Sequence, residues 1–264
     1  MYPIIFSCSY FTLYSFGMCL FIGFSLYSFL LEQDPVLRPY LLKISLSKLL
    51  LQALITGLCI SRIVFVLSEW KTIDSAIDLV MLSNGGLSIL GALLGICGYI
   101  AYACRRYKLP FKTIADRAAL YAPLGQVVGR IGCFFAGCCH GIPTTVPWAL
   151  VYTHPLSMAT RGIGVHPTQL YSLCLLLLIF CFLWVLQKKY SRLKKGSLAL
   201  IYLVCVSSER CLIDFLRADR IMLKLSTWLS FHQLLALCLG ITGILACIYN
   251  QFFTRSSDKN NTHE

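Results

Sequence analysis

Apolar residues gather into seven runs separated by short polar and basic stretches. The runs cover roughly 10–31, 47–68, 85–104, 117–138, 168–187, 197–216 and 228–253. Each is close to the ~20 residues a helix needs to cross the ~30 Å hydrocarbon core of a bilayer. The spacing predicts an all-α polytopic membrane protein of about seven transmembrane helices. The third, fourth and sixth runs contain Gly, Arg or Glu that lipid alone does not tolerate. The first run has no basic segment before it and no small-residue cleavage site after Leu31, so it is expected to be a retained helix rather than a signal peptide. No repeat or domain boundary interrupts the pattern. Residues 1–264 are expected to form a single integral membrane domain with a polar tail from about 254 to 264.

The longest stretch predicted as non-helical is 141–167, with four Pro and several Thr among scattered apolar residues. It reads as an ordered loop region on the membrane face. Within it, Val-Pro-Trp-Ala-Leu-Val-Tyr is either a short strand or an interfacial segment anchored by Trp148 and Tyr152.

Composition agrees with the pattern. The chain is 58% hydrophobic and 13% charged, with a mean hydropathy of +0.74, against about 25% charged residues in a soluble domain. A disordered chain, a nucleic-acid-binding domain and a small disulfide scaffold are excluded. The net charge of +12 reflects loop basicity. Stretches such as RRYKLPFK and QKKYSRLKK lie in one set of loops and only a few Lys and Arg in the other. Cytoplasmic loops carry that excess, which puts the N-terminus outside and the C-terminus in the cytoplasm.

Five charges fall in or at the ends of apolar runs: Arg62, Arg130, Glu209, Arg210 and Asp214. Each costs about 2.5–3.5 kcal/mol or more at mid-bilayer, so such residues face a bundle interior or a cavity. Arg130 sits among Gly125, Gly129, Gly132, Gly137 and Gly141. Its planar fork of donors matches a phosphate, and in a membrane the abundant phosphate is a lipid head group. In the alternative, Arg130 pairs with an internal carboxylate such as Glu209 and the glycines serve packing. Arg210, Asp214 and Arg217 share one helix face at i, i+4 and i+7, as an ion pair or as a ligand site. Arg62 reads as structural. His166 opens HPTQLYS, where a cap is the plainer role.

Of the fourteen Cys, most lie in apolar runs as small hydrophobes. Cys133, Cys138 and Cys139 stand close together beside His140. Adjacent cysteines do not readily ligate one tetrahedral ion and no second ligand cluster is present, so no metal and no cofactor is expected. A thiol redox pair among the three is a separate possibility.

These segments resemble the prolipoprotein diacylglyceryl transferase family of bacterial inner membranes, over about Ser15 to Ile244. GQVVGRIGCFFAGCCHGIPTTVPWALVY is similar to the family signature GR-x-G followed by G-x-PT-x-x-PW, and HPTQLYS to HP-[ST]-QLY. ERCLIDFLRAD resembles R-x-x-x-EF-x-R with Asp214 for Glu, SNGGLSILGALLG the segment GG-x-S-x-HGG, and LSFHQLLAL the GQ-containing last helix. The resemblance implies a multi-pass inner-membrane enzyme with an outward-facing site. It would transfer the diacylglyceryl group of phosphatidylglycerol to the lipobox Cys thiol in a prolipoprotein signal peptide, releasing glycerol 1-phosphate. Its partners would be these substrates and membrane lipids, not nucleic acid.

By the same resemblance Arg130 and Arg210 hold the phosphate, and Gly129, Gly132, Gln169 and Tyr171 lie beside the substrate. The sequence departs from the family at Leu90 for His, Ala92 for Gly, Cys133 for Asn and Phe16 for Tyr. His140 or His166 is then the candidate base, unless the Arg charges alone activate the thiol. The alternatives are a divergent paralogue with another acceptor and a non-catalytic phospholipid-binding membrane protein.

Overall fold

The computed structural model describes residues 2–8, 11–41, 44–70, 88–190, 193–220, 222 and 229–252. The expected tail from about 254 and residues 85–87 of the third apolar run lie outside them. The helices are α1 (Ser15–Glu32), the single turn α2 (Arg38–Leu41), α3 (Leu46–Ser68), α4 (Ile89–Arg106), α5 (Phe111–Ala136), α6 (Thr168–Lys189), α7 (Ser197–Asp214) and α8 (Phe231–Phe252). Among the described residues α1, α3, α5, α6 and α8 are long and apolar enough to cross a membrane. The helices α4 and α7 are 18 residues each; α4 ends on Arg105 and Arg106, and α7 carries Glu209, Arg210 and Asp214. The protein is mainly helical, with five such candidate spans among the described residues.

The chain divides into two compact units. In the first, Leu31–Ile114, α3 and α4 form an antiparallel pair. Small residues let the backbones touch: a Cβ at Gly95 would lie 2.7 Å from the Thr56 carbonyl oxygen, and one at Gly91 2.7 Å from the Ser61 Cα. The Ser61 hydroxyl donates to the Ser88 carbonyl at 2.8 Å, and Tyr99 bonds Gln52. The glycine-rich segment is thus a helix-packing surface on its α4 side. Arg62 stacks over the Phe65 ring on its own helix, in keeping with a structural role.

The second unit joins Met1–Leu30 to Ala115–Glu264. It opens with a strand pair, β1 (Ile4–Cys8) and β2 (Phe11–Tyr14), antiparallel. Helix α1 therefore begins at Ser15, not near residue 10: a short apolar run does not distinguish strand from helix by periodicity. Helix α5 starts at Phe111, six residues ahead of the expected 117, because its charges have partners. Asp116 accepts from the backbone N–H of Gly196 at 2.6 Å and Ala199 at 2.9 Å. It thereby satisfies two of the orphan donors at the start of α7. Leu120, Leu183 and Leu198 close a core between α5, α6 and α7.

Helix α5 ends where Gly137 takes φ +75°, a left-handed residue that stops a helix without steric cost. Beyond it lies a small sheet layer. Strand β3 (Leu150–Val151) pairs antiparallel with β4 (Gly164–Val165), so the Val-Pro-Trp segment does include a short strand. On the other side of β4, Pro143 bridges Val165, and Gly141 bridges Arg217 after α7. Gly141 is required there: a Cβ would fall 2.5 Å from the His166 Cβ and 2.9 Å from the Leu216 carbonyl oxygen.

Candidate functional site

The site is built within the second unit. Arg130 projects from α5 and meets Glu209 of α7 at 3.8 Å. Glu209 is buried and also accepts from the Ser172 hydroxyl of α6. One carboxylate therefore ties three helices together and compensates a guanidinium that lipid would reject. Both residues line a cavity of about 220 Å³ with Phe16, Leu20, Gln126, Gly129, Cys133 and Leu176. Leu20, Gln126 and Gly129 also line a second, more open groove between α1 and α5, of about 320 Å³. A charged head wall continuing into an apolar groove suits an amphiphile.

The two predicted glycines play different parts. Gly129 has only the tip of Leu20 near it, at 3.9 Å, and lines the cavity. Gly132 packs α5 onto α1, with the Cys19 Cβ 2.8 Å from where its own Cβ would be.

Arg210 is 3.5 Å from Asp214, one turn along α7. Asp214 is buried, binds the Ser230 hydroxyl and lies 3.7 Å from Arg220. Arg210 does not line the Arg130 cavity, but the two guanidinium groups lie within electrostatic range of each other and of Arg217. Arg217 lies just beyond the end of α7, close enough to Arg210 for their charges to interact. Its guanidinium makes a bidentate pair with Asp219 at 2.8 and 2.6 Å. These bonds hold the Asp219 carboxyl below the usual carboxylate range, against the opposing effect of burial.

The HPTQLYS segment works as a clamp. The Thr168 hydroxyl donates to the Cys139 carbonyl at 2.6 Å, and the Gln169 amide donates to the Cys138 carbonyl at 2.8 Å and to the Tyr152 hydroxyl at 3.1 Å. Gln169 is 1% exposed, and its amide N–H groups tie the start of α6 to the turn after α5. Tyr171 is half-buried, and its hydroxyl accepts from the Trp148 indole at 2.6 Å and lies 3.2 Å from His166 Nδ1. His140 Nδ1 lies 3.2 Å from the Gly137 carbonyl. Each candidate base thus has a local hydrogen-bond partner, and the backbones of both are joined through Gly141 and Ile142.

The same turn gathers Cys133, Cys138 and Cys139, whose Sγ atoms all lie within 4.8 Å of one another. The Cys139 thiol is pulled below its ordinary value by hydrogen bonds from the Cys133 and Cys138 thiols, with the Arg217 and Arg130 charges adding to the effect.

Several supporting residues were not singled out from the sequence: Asp116, Ser172, Ser230, Asp219 and Gln233. Gln233 carried a usable signal. A buried amide in an apolar helix needs partners, and here it accepts from Arg220 at 3.0 Å and from the Ser230 N–H at 3.0 Å. Leu90, which replaces the family's His, is on α4 in the first unit and 42% exposed.

A sequence model of the prolipoprotein diacylglyceryl transferase family matches residues 3–249. A phosphatidylglycerol–prolipoprotein diacylglyceryl transferase of Clostridium tetani is 27% identical over 243 residues, 91% of this chain and 96% of that protein. The corresponding enzyme of Dehalococcoides mccartyi is 30% identical over 208 residues, 79% and 78% of the two chains. One of Clostridium perfringens, named as a second such transferase, is 30% identical over 243 residues, 90% of each. The chain belongs to the prolipoprotein diacylglyceryl transferase family.

Proposed function

We propose that this protein transfers the diacylglyceryl group of phosphatidylglycerol to the lipobox Cys thiol of a prolipoprotein, the first step of lipoprotein biosynthesis. The observation that carries this reading is Arg130 at the wall of a cavity that continues into an apolar groove, with Arg210 and Arg217 within electrostatic range. The reaction is a thiol alkylation. The acceptor thiol loses its proton to His140 or His166 or, under the Arg charges alone, to solvent; its sulfur bonds to the glycerol carbon that carries the phosphate, the C–O bond breaks, and that electron pair leaves with glycerol 1-phosphate. Negative charge grows on that phosphate, and fixed guanidinium groups in a water-poor site stabilise it. Arg130 binds the phosphate, Gly129 leaves room beside it, and Arg210 and Arg217 add positive potential. Gly132, Gln169 and Tyr171 hold the surrounding helices and turn in place.

All seven long helices cross the bacterial inner membrane in this reading, α4 and α7 with their charges turned inward. The N-terminus and the 141–167 region face outward, and QKKYSRLKK faces the cytoplasm. Complementation tests the function: the chain should sustain growth of a bacterium depleted of its own transferase, and Arg130→Ala should not. A second reading, a phospholipid-binding protein without chemistry, draws support from Leu90. It predicts phosphatidylglycerol binding with no growth in the same experiment.

A further inference from the structure

We propose that Cys133, Cys138 and Cys139 are a three-thiolate site for a Zn²⁺ ion, whose open fourth position takes the acceptor thiol. The second half rests on the transferase reading above.

The geometry carries the first half. Zn²⁺ binds thiolates at about 2.3 Å, so three sulfurs around one ion stand about 3.8 Å apart in a tetrahedral arrangement. All three Sγ atoms lie within 4.8 Å of one another, and the Cys138 thiol reaches the Cys133 carbonyl at 3.8 Å. That is a closed triangle rather than one close pair with a bystander. Adjacency of Cys138 and Cys139 is no obstacle, because Cys139 sits at φ 58°. A left-handed non-glycine residue is uncommon and is held by its surroundings. Here Thr168 and Gln169 hold it through the Cys139 and Cys138 carbonyls. The donor set is therefore fixed on a helix end and a clamped turn. Three thiolates and one Zn²⁺ leave one net negative charge, and the Arg130 and Arg217 charges both reach Cys139.

The second half follows from placement. Cys133 lines the same cavity as Arg130 and Glu209, so a metal on Cys133 borders the space where the phosphate is bound. His140 is not in the cluster, leaving three protein ligands. Three ligands and an open position are the arrangement of catalytic rather than structural zinc. Zinc deprotonates a coordinating thiol. The acceptor S–H would release its proton to solvent on binding, and the resulting sulfur would attack the glycerol carbon as the phosphate leaves. No oxidation is involved. Thiol activation would then need no imidazole, which fits Leu90 where the family has His.

The test uses the full chain in detergent, reduced, stripped with a chelator and loaded with Co²⁺ as a spectroscopic probe. One equivalent should give thiolate-to-cobalt charge-transfer absorption and four-coordinate d–d bands. Cys133→Ser and Cys139→Ser should lose the charge-transfer band, and Cys174→Ser, on an exposed face of α6, should keep it. A lipobox peptide should shift the d–d bands, and its Cys→Ser version should not. Chelation should lower transfer by about 10²-fold or more, the usual loss of a proton-handling group, and Zn²⁺ should restore it. Absence of the charge-transfer band in the reduced wild type, or a disulfide between two of the three thiols in trapped native protein, overturns the site. Full transfer after metal removal overturns the acceptor role. Normal cobalt bands with no transfer at any metal content sink the transferase reading and leave the metal site standing.

Discussion

The guanidinium of Arg130 and the carboxylate of Glu209 stand 3.8 Å apart, one on α5 and one on α7, at the wall of the cavity that Gly129 and Cys133 also line. The sequence offered a phosphate ligand and an ion pair as alternative roles for Arg130. The geometry allows both: a carboxylate at 3.8 Å orients one edge of the fork and leaves other donors for a ligand.

Arg130→Lys should therefore lower transfer by about 10²-fold, the usual effect of removing one donor from a developing anion, since an ammonium does not reproduce the planar fork. The variant should melt close to the wild type, because the charge opposite Glu209 is retained. Transfer rates and thermal unfolding in the same detergent check this. Wild-type rates would remove Arg130 from the phosphate site.

Gln169→Ala should destabilise the protein by about 1–3 kcal/mol, because it leaves the Cys138 carbonyl without its side-chain donor. Labelling of Cys138 and Cys139 by a thiol reagent should accelerate as the turn loosens. Unchanged labelling would mean that the clamp holds nothing.

The glycines of α4 give a paired comparison. Gly95→Ala places a Cβ 2.7 Å from the Thr56 carbonyl oxygen and should cost about 1–3 kcal/mol as the backbones separate. Gly98 has nothing within 4 Å of the added carbon, so Gly98→Ala should be neutral or stabilising by up to ~1 kcal/mol. Thermal unfolding of both variants decides it, and equal effects would count against the α3–α4 packing described.

Asp219 gives a pH dependence of defined sign. Its folded pKa is lowered by Arg217, so its stabilisation is present above the ordinary carboxylate pKa of about 4 and is lost as pH falls through the lower folded value. Asp219→Asn should melt below the wild type at pH 7, and the gap should shrink as the pH drops below about 4. A gap that widens on acidification contradicts the pairing.

Much of this was legible in the sequence. Apolar runs located the long helices, since length and hydropathy alone decide what lipid accepts, and the Arg130 and HPTQLYS segments marked the elements that line the candidate site. What failed to show has a physical cause in each case. The β1–β2 pair is apolar and short, so its run merged with α1. The partner of Arg217 was hidden because Asp219 lies past the end of α7, where helical spacing no longer says which side chains meet. The bonds of Gln169 to the Cys138 carbonyl and the Tyr152 hydroxyl were hidden because residue type alone does not say what a buried amide meets. The thiol triangle depends on the left-handed Cys139 backbone, which no pattern of residue types announces.

The excess of Lys and Arg in one set of loops fixes the expected orientation. Reporter fusions at Gln187 and Thr144 should score as cytoplasmic and external. The reverse pair would turn the site toward the cytoplasm and separate it from an exported acceptor.

The most direct measurement of the central claim is the mass of a lipobox peptide incubated with the purified full chain and phosphatidylglycerol of one defined acyl composition. The account predicts a thioether adduct heavier by one diacylglyceryl group, on Cys alone, with glycerol 1-phosphate released in equal amount. An unmodified peptide, while the protein binds phosphatidylglycerol normally, would contradict it.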